Sequence, residues 1–175
     1  MSRAILFLDL ARTTGWCEGE PNGTPISGTM RIAPDGSDSP AVFGGMLKWL
    51  ATRLQAFRPR TIVYEAPFDP RHMSKTTFNT ARMLLGLPAV VEATAYSCGV
   101  YDIREAHVND IRRFLIGRTP KRQEAKAAVI EHLRGLGFDP ADDNESDAIA
   151  GWLFACSIAD GRAGVRSTGL FAKTE

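Results

Sequence analysis

Residues 4–8 form an unbroken apolar run, Ala4-Ile5-Leu6-Phe7-Leu8, that stops at Asp9. A run without polar alternation is the pattern of a strand buried on both faces, and this one ends on a carboxylate. Thr13-Thr14-Gly15-Trp16-Cys17 reads as a turn into a second strand, and residues 26–33, after Pro21-Asn22-Gly23, as a third, giving an antiparallel meander. From Pro40 the period changes. Val42, Met46, Leu50, Leu54 and Phe57 recur every three or four residues, the stripe of a helix that ends near Arg58-Pro59. Thr61-Ile62-Val63-Tyr64 is again a buried strand, and it too ends on an acid, Glu65.

Phe68 to Lys75 is polar and reads as a loop before a long apolar helix over 77–97, which Gly86 and Pro88 should kink or divide. A fifth strand is expected over 100–104. Val108, Ile111, Phe114 and Leu115 mark a short helix, and Ala125, Ala128, Val129, Leu133 and Leu136 mark another that Gly137 ends. A last helix is expected to begin near Asn144 or Glu145 and to run to about Ala159. The order is three strands, helix, strand, helix, strand and then helices, an α/β sheet between helical layers. One domain over 1–160 is expected, with 161–175, rich in Gly, Arg, Ser and Thr, as a poorly ordered tail.

The 175 residues are 44% hydrophobic and 23% charged, ordinary for a soluble domain of this size, which needs no disulfide or structural metal to fold. A net charge of +1 says nothing about a polyanionic partner, so any nucleic-acid signal must be local. Cys17, Cys98 and Cys156 are an odd number without paired spacing, read as buried hydrophobes in a reducing compartment. The N-terminal apolar run is far too short for a signal peptide or a membrane span, which makes a cytoplasmic protein the expectation. Walker A, GxGxxG and GxSxG motifs are absent, removing the commonest nucleotide-binding and esterase readings.

Two signals carry chemistry. The first is acidic: Asp9 and Glu65 close two strands, while Asp143, Asn144 and Asp147 open the last helix at spacings of four and three that put either pair on one face. Hard oxygen donors suit Mg²⁺ or Mn²⁺ rather than zinc. Two such ions about 4 Å apart activate a water on one side of a phosphodiester and stabilise the leaving oxygen on the other, so phosphodiester hydrolysis is expected. Singly, each acid is as readily a turn former or a helix cap. Glu65 is hardest to dismiss, because an ionisable group after four buried-strand residues is costly unless paired or metal-bound. The second signal is basic: Arg112, Arg113, Arg118, Lys121, Arg122 and Lys126 face one acid in that stretch, Glu124. A phosphate backbone gripped there would lie beside the acids that follow in the chain. Phe68, just after Glu65-Ala66-Pro67, is a candidate wedge between bases.

Ile5-Leu6-Phe7-Leu8-Asp9 with Thr13-Thr14-Gly15-Trp16, Ile62-Val63-Tyr64-Glu65, and Asp143-Asn144-Glu145-Ser146-Asp147-Ala148-Ile149-Ala150 together resemble the RuvC-like Holliday junction resolvases of the ribonuclease H superfamily. His107-Val108-Asn109-Asp110-Ile111-Arg112-Arg113-Phe114-Leu115-Ile116-Gly117 looks most like phage and prophage members, and the resemblance spans about residues 4–160. It implies a ribonuclease H-like mixed five-stranded sheet, three antiparallel strands then parallel ones, with helices on both faces. It also implies a homodimeric, divalent-metal-dependent endonuclease acting on four-way or other branched DNA with two ions per site. Asp9, Glu65 and Asp147 would be catalytic ligands, and Arg113, Lys121 and Lys126 phosphate contacts. The chain departs from the family pattern in two places. Asp9-Leu10-Ala11 stands where many relatives have Asp-Pro-Gly or Asp-Pro-Ser, and Asn144 stands where cellular relatives have an acid or His, leaving Asp143 or Asn144 as the fourth ligand.

Rival readings are another nuclease of the superfamily, such as one cutting RNA–DNA hybrids, and a junction binder without catalysis. A proofreading-exonuclease pattern needs an acid two residues after the first Asp, where this chain has Ala11.

Overall fold

A computed structural model of the chain describes residues 3–67, 77–118 and 122–159, with only the backbone of Arg122 and Gln123. Phe68, Lys121 and the proposed tail at 161–175 therefore lie outside the described residues. The elements are β1 (Ile5–Asp9), β2 (Thr13–Gly19), β3 (Ile26–Arg31), α1 (Ser39–Ala56), β4 (Thr61–Glu65), α2 (Phe78–Ser97), β5 (Asp102–Ala106), α3 (Val108–Ile116), α4 (Arg122–Gly135) and α5 (Asp143–Ala159).

One five-stranded sheet has the order β3-β2-β1-β4-β5. β1 runs antiparallel to β2 and parallel to β4, and β4 runs parallel to β5, so the first strand of the chain is the centre of the sheet. That position explains its continuous apolar run, since both its faces are covered. Leu6, Leu8, Ile62 and Tyr64 point to α1 and α2, whereas Ile5, Phe7, Cys17, Val63 and Ala106 point to α3, α4 and α5. By the two-residue period of a strand, Asp9 shares the α5 face with Phe7, and Glu65 shares it with Val63.

Several expected boundaries move. Thr13-Thr14-Gly15 is the body of β2 rather than a turn, because the tight connection from β1 is made by residues 10–12. The fifth strand starts at Asp102 instead of residue 100. Val100 is buried for another reason: Gly99, at φ +84°, reverses α2, and the Val100 N–H donates to the Ala95 carbonyl at 2.9 Å. That is the left-handed helix ending with its usual apolar contact. α2 runs as one helix through Pro88. α5 begins one residue earlier than expected, at Asp143, because Asp142 caps it by accepting the Glu145 N–H at 2.8 Å. Cys17 and Cys156 are buried, but Cys98, at the end of α2, is exposed. Phe114 is exposed too and packs edge-on against Phe154, with ring centroids 5.7 Å apart.

α1 starts on an Asp38 cap that accepts the Ala41 N–H, and its stripe of Val42, Met46, Leu50 and Leu54 is buried. Arg53 on α1 reaches the buried Glu18 of β2 through two hydrogen bonds of 2.9 and 2.7 Å and stacks over Trp16, tying the helix to the sheet. No helix among the described residues is long and apolar enough to cross a membrane.

Candidate active site

The parallel register of β1 and β4 pairs Leu8 with Tyr64, so Asp9 and Glu65 follow side by side at the ends of adjacent strands. Both are half-buried, and they border a cavity of about 60 Å³ closed by Leu10, Pro67, Leu84 and Pro88. The third carboxylate arrives on α5. Asp9 is opposite Gly15 across the β1–β2 ladder, and the first turn of α5 lies directly on that glycine. A Cβ at position 15 would stand 2.0 Å from the Asn144 carbonyl oxygen and 3.2 Å from the Ala148 Cβ. Further along, a Cβ at Gly151 would stand 2.0 Å from the Phe7 ring. Two glycines, one on the strand and one on the helix, thus let α5 lie against the sheet and carry Asp147 to Asp9.

The electrostatics record the approach. The Asp9 carboxyl is pushed up to about 7 by burial first and then by the charge of Asp147, while Lys126 pulls it down. Lys126 itself, on α4, donates to the Asp143 carboxylate at 2.6 Å. One of the two candidates for a fourth ligand therefore already holds a cation. The other, Asn144, is half-buried at the contact with Gly15.

Glu145 has a role that residue spacing does not reveal. Its two carboxylate oxygens accept the Ser27 hydroxyl of β3 at 2.7 Å and the Ala141 N–H at 2.8 Å, so it fastens the start of α5 to the sheet. Gly15 belongs to the same class of unseen positioning residues. Its signal in the sequence is a glycine inside a strand, which often marks a close backbone approach.

The expected cations are distributed along α3 and α4. Arg113 pairs with Asp110 at 3.1 Å on an exposed surface, Arg112 is half-buried, and Arg118 is exposed just past the left-handed Gly117 that ends α3. Arg122 opens α4. Of this group, Lys126 alone is seen to act electrostatically on Asp9 among the described residues.

Only oxygen donors converge here, and the Asp9 carboxyl, raised toward neutrality by burial and then by the charge of Asp147, is a group that a divalent cation would hold ionised. Among the described residues no three His, Cys, Asp or Glu side chains stand together as one closed metal cluster. Carboxylates that meet in pairs suit an ion that keeps several of its waters, as Mg²⁺ does, better than a closed cage.

No family model matches the chain, and no curated protein matches its sequence. Solved structures do match. RuvC of T. thermophilus in complex with a Holliday junction substrate superposes with a TM-score of 0.66 at 16% identity, over 92% of this chain and 96% of that one. A further Thermus thermophilus RuvC structure gives 0.62 at 19% identity, over 92% and 96% of the two chains. The yeast mitochondrial Holliday junction resolvase Ydc2 gives 0.60 at 13% identity, over 91% of this chain and 81% of that one. At these identities the likeness is one of fold, and the chain has the ribonuclease H-like fold that RuvC and Ydc2 share.

Proposed function

We propose that the protein is a divalent-metal-dependent endonuclease that hydrolyses phosphodiester bonds in four-way or other branched DNA, in recombination, repair or phage DNA processing. The observation that carries this reading is the meeting of Asp9 and Asp147, beside Glu65, at one end of a sheet whose fold is that of a RuvC solved with a Holliday junction. Asp9, Glu65 and Asp147 would hold Mg²⁺ or Mn²⁺, two ions per site, with Asp143 or Asn144 as a further donor. When bound, such ions supply an activated water and charge to match that developing on the phosphate.

The chain's own residues do the rest. β1 and β4 hold two carboxylates at fixed spacing, and α5 adds the third without a loop in between, so the donors cost little reorganisation. Lys126 offers a positive charge at the edge of the site, now shared with Asp143, for a phosphate oxygen. Arg112, Arg113, Arg118, Lys121 and Arg122 are proposed to grip the backbone, and Phe68 to wedge between bases. The partner is a second copy of the chain. Exposed Phe78, Leu85 and Tyr96 lie along one side of α2 at spacings of seven and eleven residues, two and three helical turns, with exposed Arg82 and Glu92 between them, and are proposed as apolar anchors of that contact.

The test is cleavage of a labelled synthetic four-way junction in Mg²⁺ and in Mn²⁺, beside linear duplex, flap and RNA–DNA hybrid. Paired nicks in the junction, absent with Asp9→Asn and with Asp147→Asn, are expected. Cutting of the hybrid alone would keep the metal site and replace the substrate. Tight junction binding with no cleavage in either metal would make the protein a binder.

A further inference from the structure

A polar cavity of about 460 Å³ opens on the α1 and α2 side of the sheet, lined by Arg12, Ser37, Asp38, Asn79, Thr80 and Arg82 among others. Its walls come from three separate places: the turn after Asp9, the segment before α1, and the first turns of α2. Arg12 is fixed by backbone carbonyls, its guanidinium donating to Pro34 at 3.1 Å and to Ser37 at 3.0 Å. Its charge is therefore kept, since no carboxylate among the described residues pairs with it. Arg82 has no ion-pair or hydrogen-bond partner among the described residues and is exposed to the cavity mouth. The one acid in the described lining, Asp38, already accepts the Ala41 N–H as the cap of α1. Two guanidiniums, an amide and hydroxyls around one opening form a donor-rich, cationic site of the kind that takes a phosphate oxygen.

From this we infer that the cavity is a second phosphate-binding subsite, taking a phosphodiester of the same DNA strand on the opposite side of the carboxylates from α3 and α4. The inference rests on the function proposed above. Its geometric support is α2, which serves both cavities: Leu84 and Pro88 border the one holding Asp9 and Glu65, and Arg82 lines this one. Two to six residues of helix correspond to about 3–9 Å along its axis. The subsite would hold the strand from the α1–α2 side of the sheet, the face opposite that on which α3, α4 and α5 pack.

The test titrates full-length protein with labelled four-way junction in EDTA, from about 50 to about 200 mM salt, a range over which phosphate contacts dominate affinity. Wild type, Arg82→Gln and Arg82→Lys are compared, with Arg60→Gln, at the start of β4 and far from the carboxylates, as control. Arg82→Gln is expected to flatten the slope of log K against log salt by about 0.9 and to weaken binding about 3–10-fold at low salt, with Arg82→Lys keeping the wild-type slope. An Arg82→Gln slope equal to wild type, with junction binding intact, overturns the subsite and leaves the proposed function standing. Wild type that binds no junction overturns both. A thermal shift by inorganic phosphate alone, lost in Arg82→Gln while the junction slope is unchanged, assigns the cavity to free phosphate and overturns its role on DNA.

Discussion

Asp9 is buried within range of the charge of Asp147, and in protein without metal that burial and that charge are a cost to its ionised form. The Asp9 carboxyl, ordinarily near 3.8, is pushed up to about 7 by burial and by Asp147. In metal-free protein the native state therefore keeps a proton that the unfolded chain has lost between about pH 4 and 7. Stability falls as pH rises through that window and is level above it. Each pH step within the window removes about 1.4 kcal/mol, so the loss across it amounts to a few kcal/mol. Asp9→Asn is expected to remove the slope, raising Tm at about pH 8 while changing it little near pH 4, as thermal melts in EDTA would record. Melts with the same slope in both proteins would mean that the folded protein does not raise the Asp9 carboxyl. At this scale the sequence was a partial guide. An acid closing a buried strand is visible as such, because the apolar run before it is local. The engagement of Asp143 by Lys126 and of Glu145 by Ser27 is not, because those pairs are 17 and 118 residues apart and exist only once helices and sheet have packed.

Among the elements, α5 governs the site, and its closeness to β2 is set by what position 15 lacks. Gly15→Ala puts a methyl 2.0 Å from a backbone oxygen of α5, which must move away and take Asp147 with it. We expect a loss of about 1–3 kcal/mol by denaturant titration, as for other overpacked contacts, and loss of cleavage beyond what that destabilisation explains. Gly44→Ala is the matched control: it lies inside α1 with nothing within 4 Å of the added carbon, and should gain about 1 kcal/mol from helix propensity with cleavage unchanged. Equal effects from the two substitutions would remove the close-approach account. The stripes of α1 and the uninterrupted β1 and β4 were legible because burial imposes their periods. Boundaries were less so: Val100 looked like strand because it is buried, when its burial comes from the reversal at Gly99.

For the whole molecule, the order of strands does not follow from local patterns. The antiparallel meander of the first three strands was expected from the short turns between them, the parallel strands that follow only from a family resemblance, and the sheet has that order. The faces of the sheet differ in what they leave uncovered. Phe78, Leu85 and Tyr96 are large, exposed side chains on one side of α2, and in a dimeric enzyme they would be buried. Leu85→Glu is expected to shift light scattering from dimer to monomer and to convert paired nicks into single ones. A wild-type protein that is monomeric with and without DNA would remove the paired-cleavage reading.

Among the described elements the central strand β1 is made first and α5, which carries Asp147, last. During synthesis the sheet can form around β1 while Asp9 and Glu65 have no third carboxylate, since Asp147 emerges only after the five strands and the first four helices of the described residues. If the protein is the endonuclease proposed above, a chain stopped before α5 would lack the third carboxylate, and cleavage would first appear when β1 and α5 have packed together.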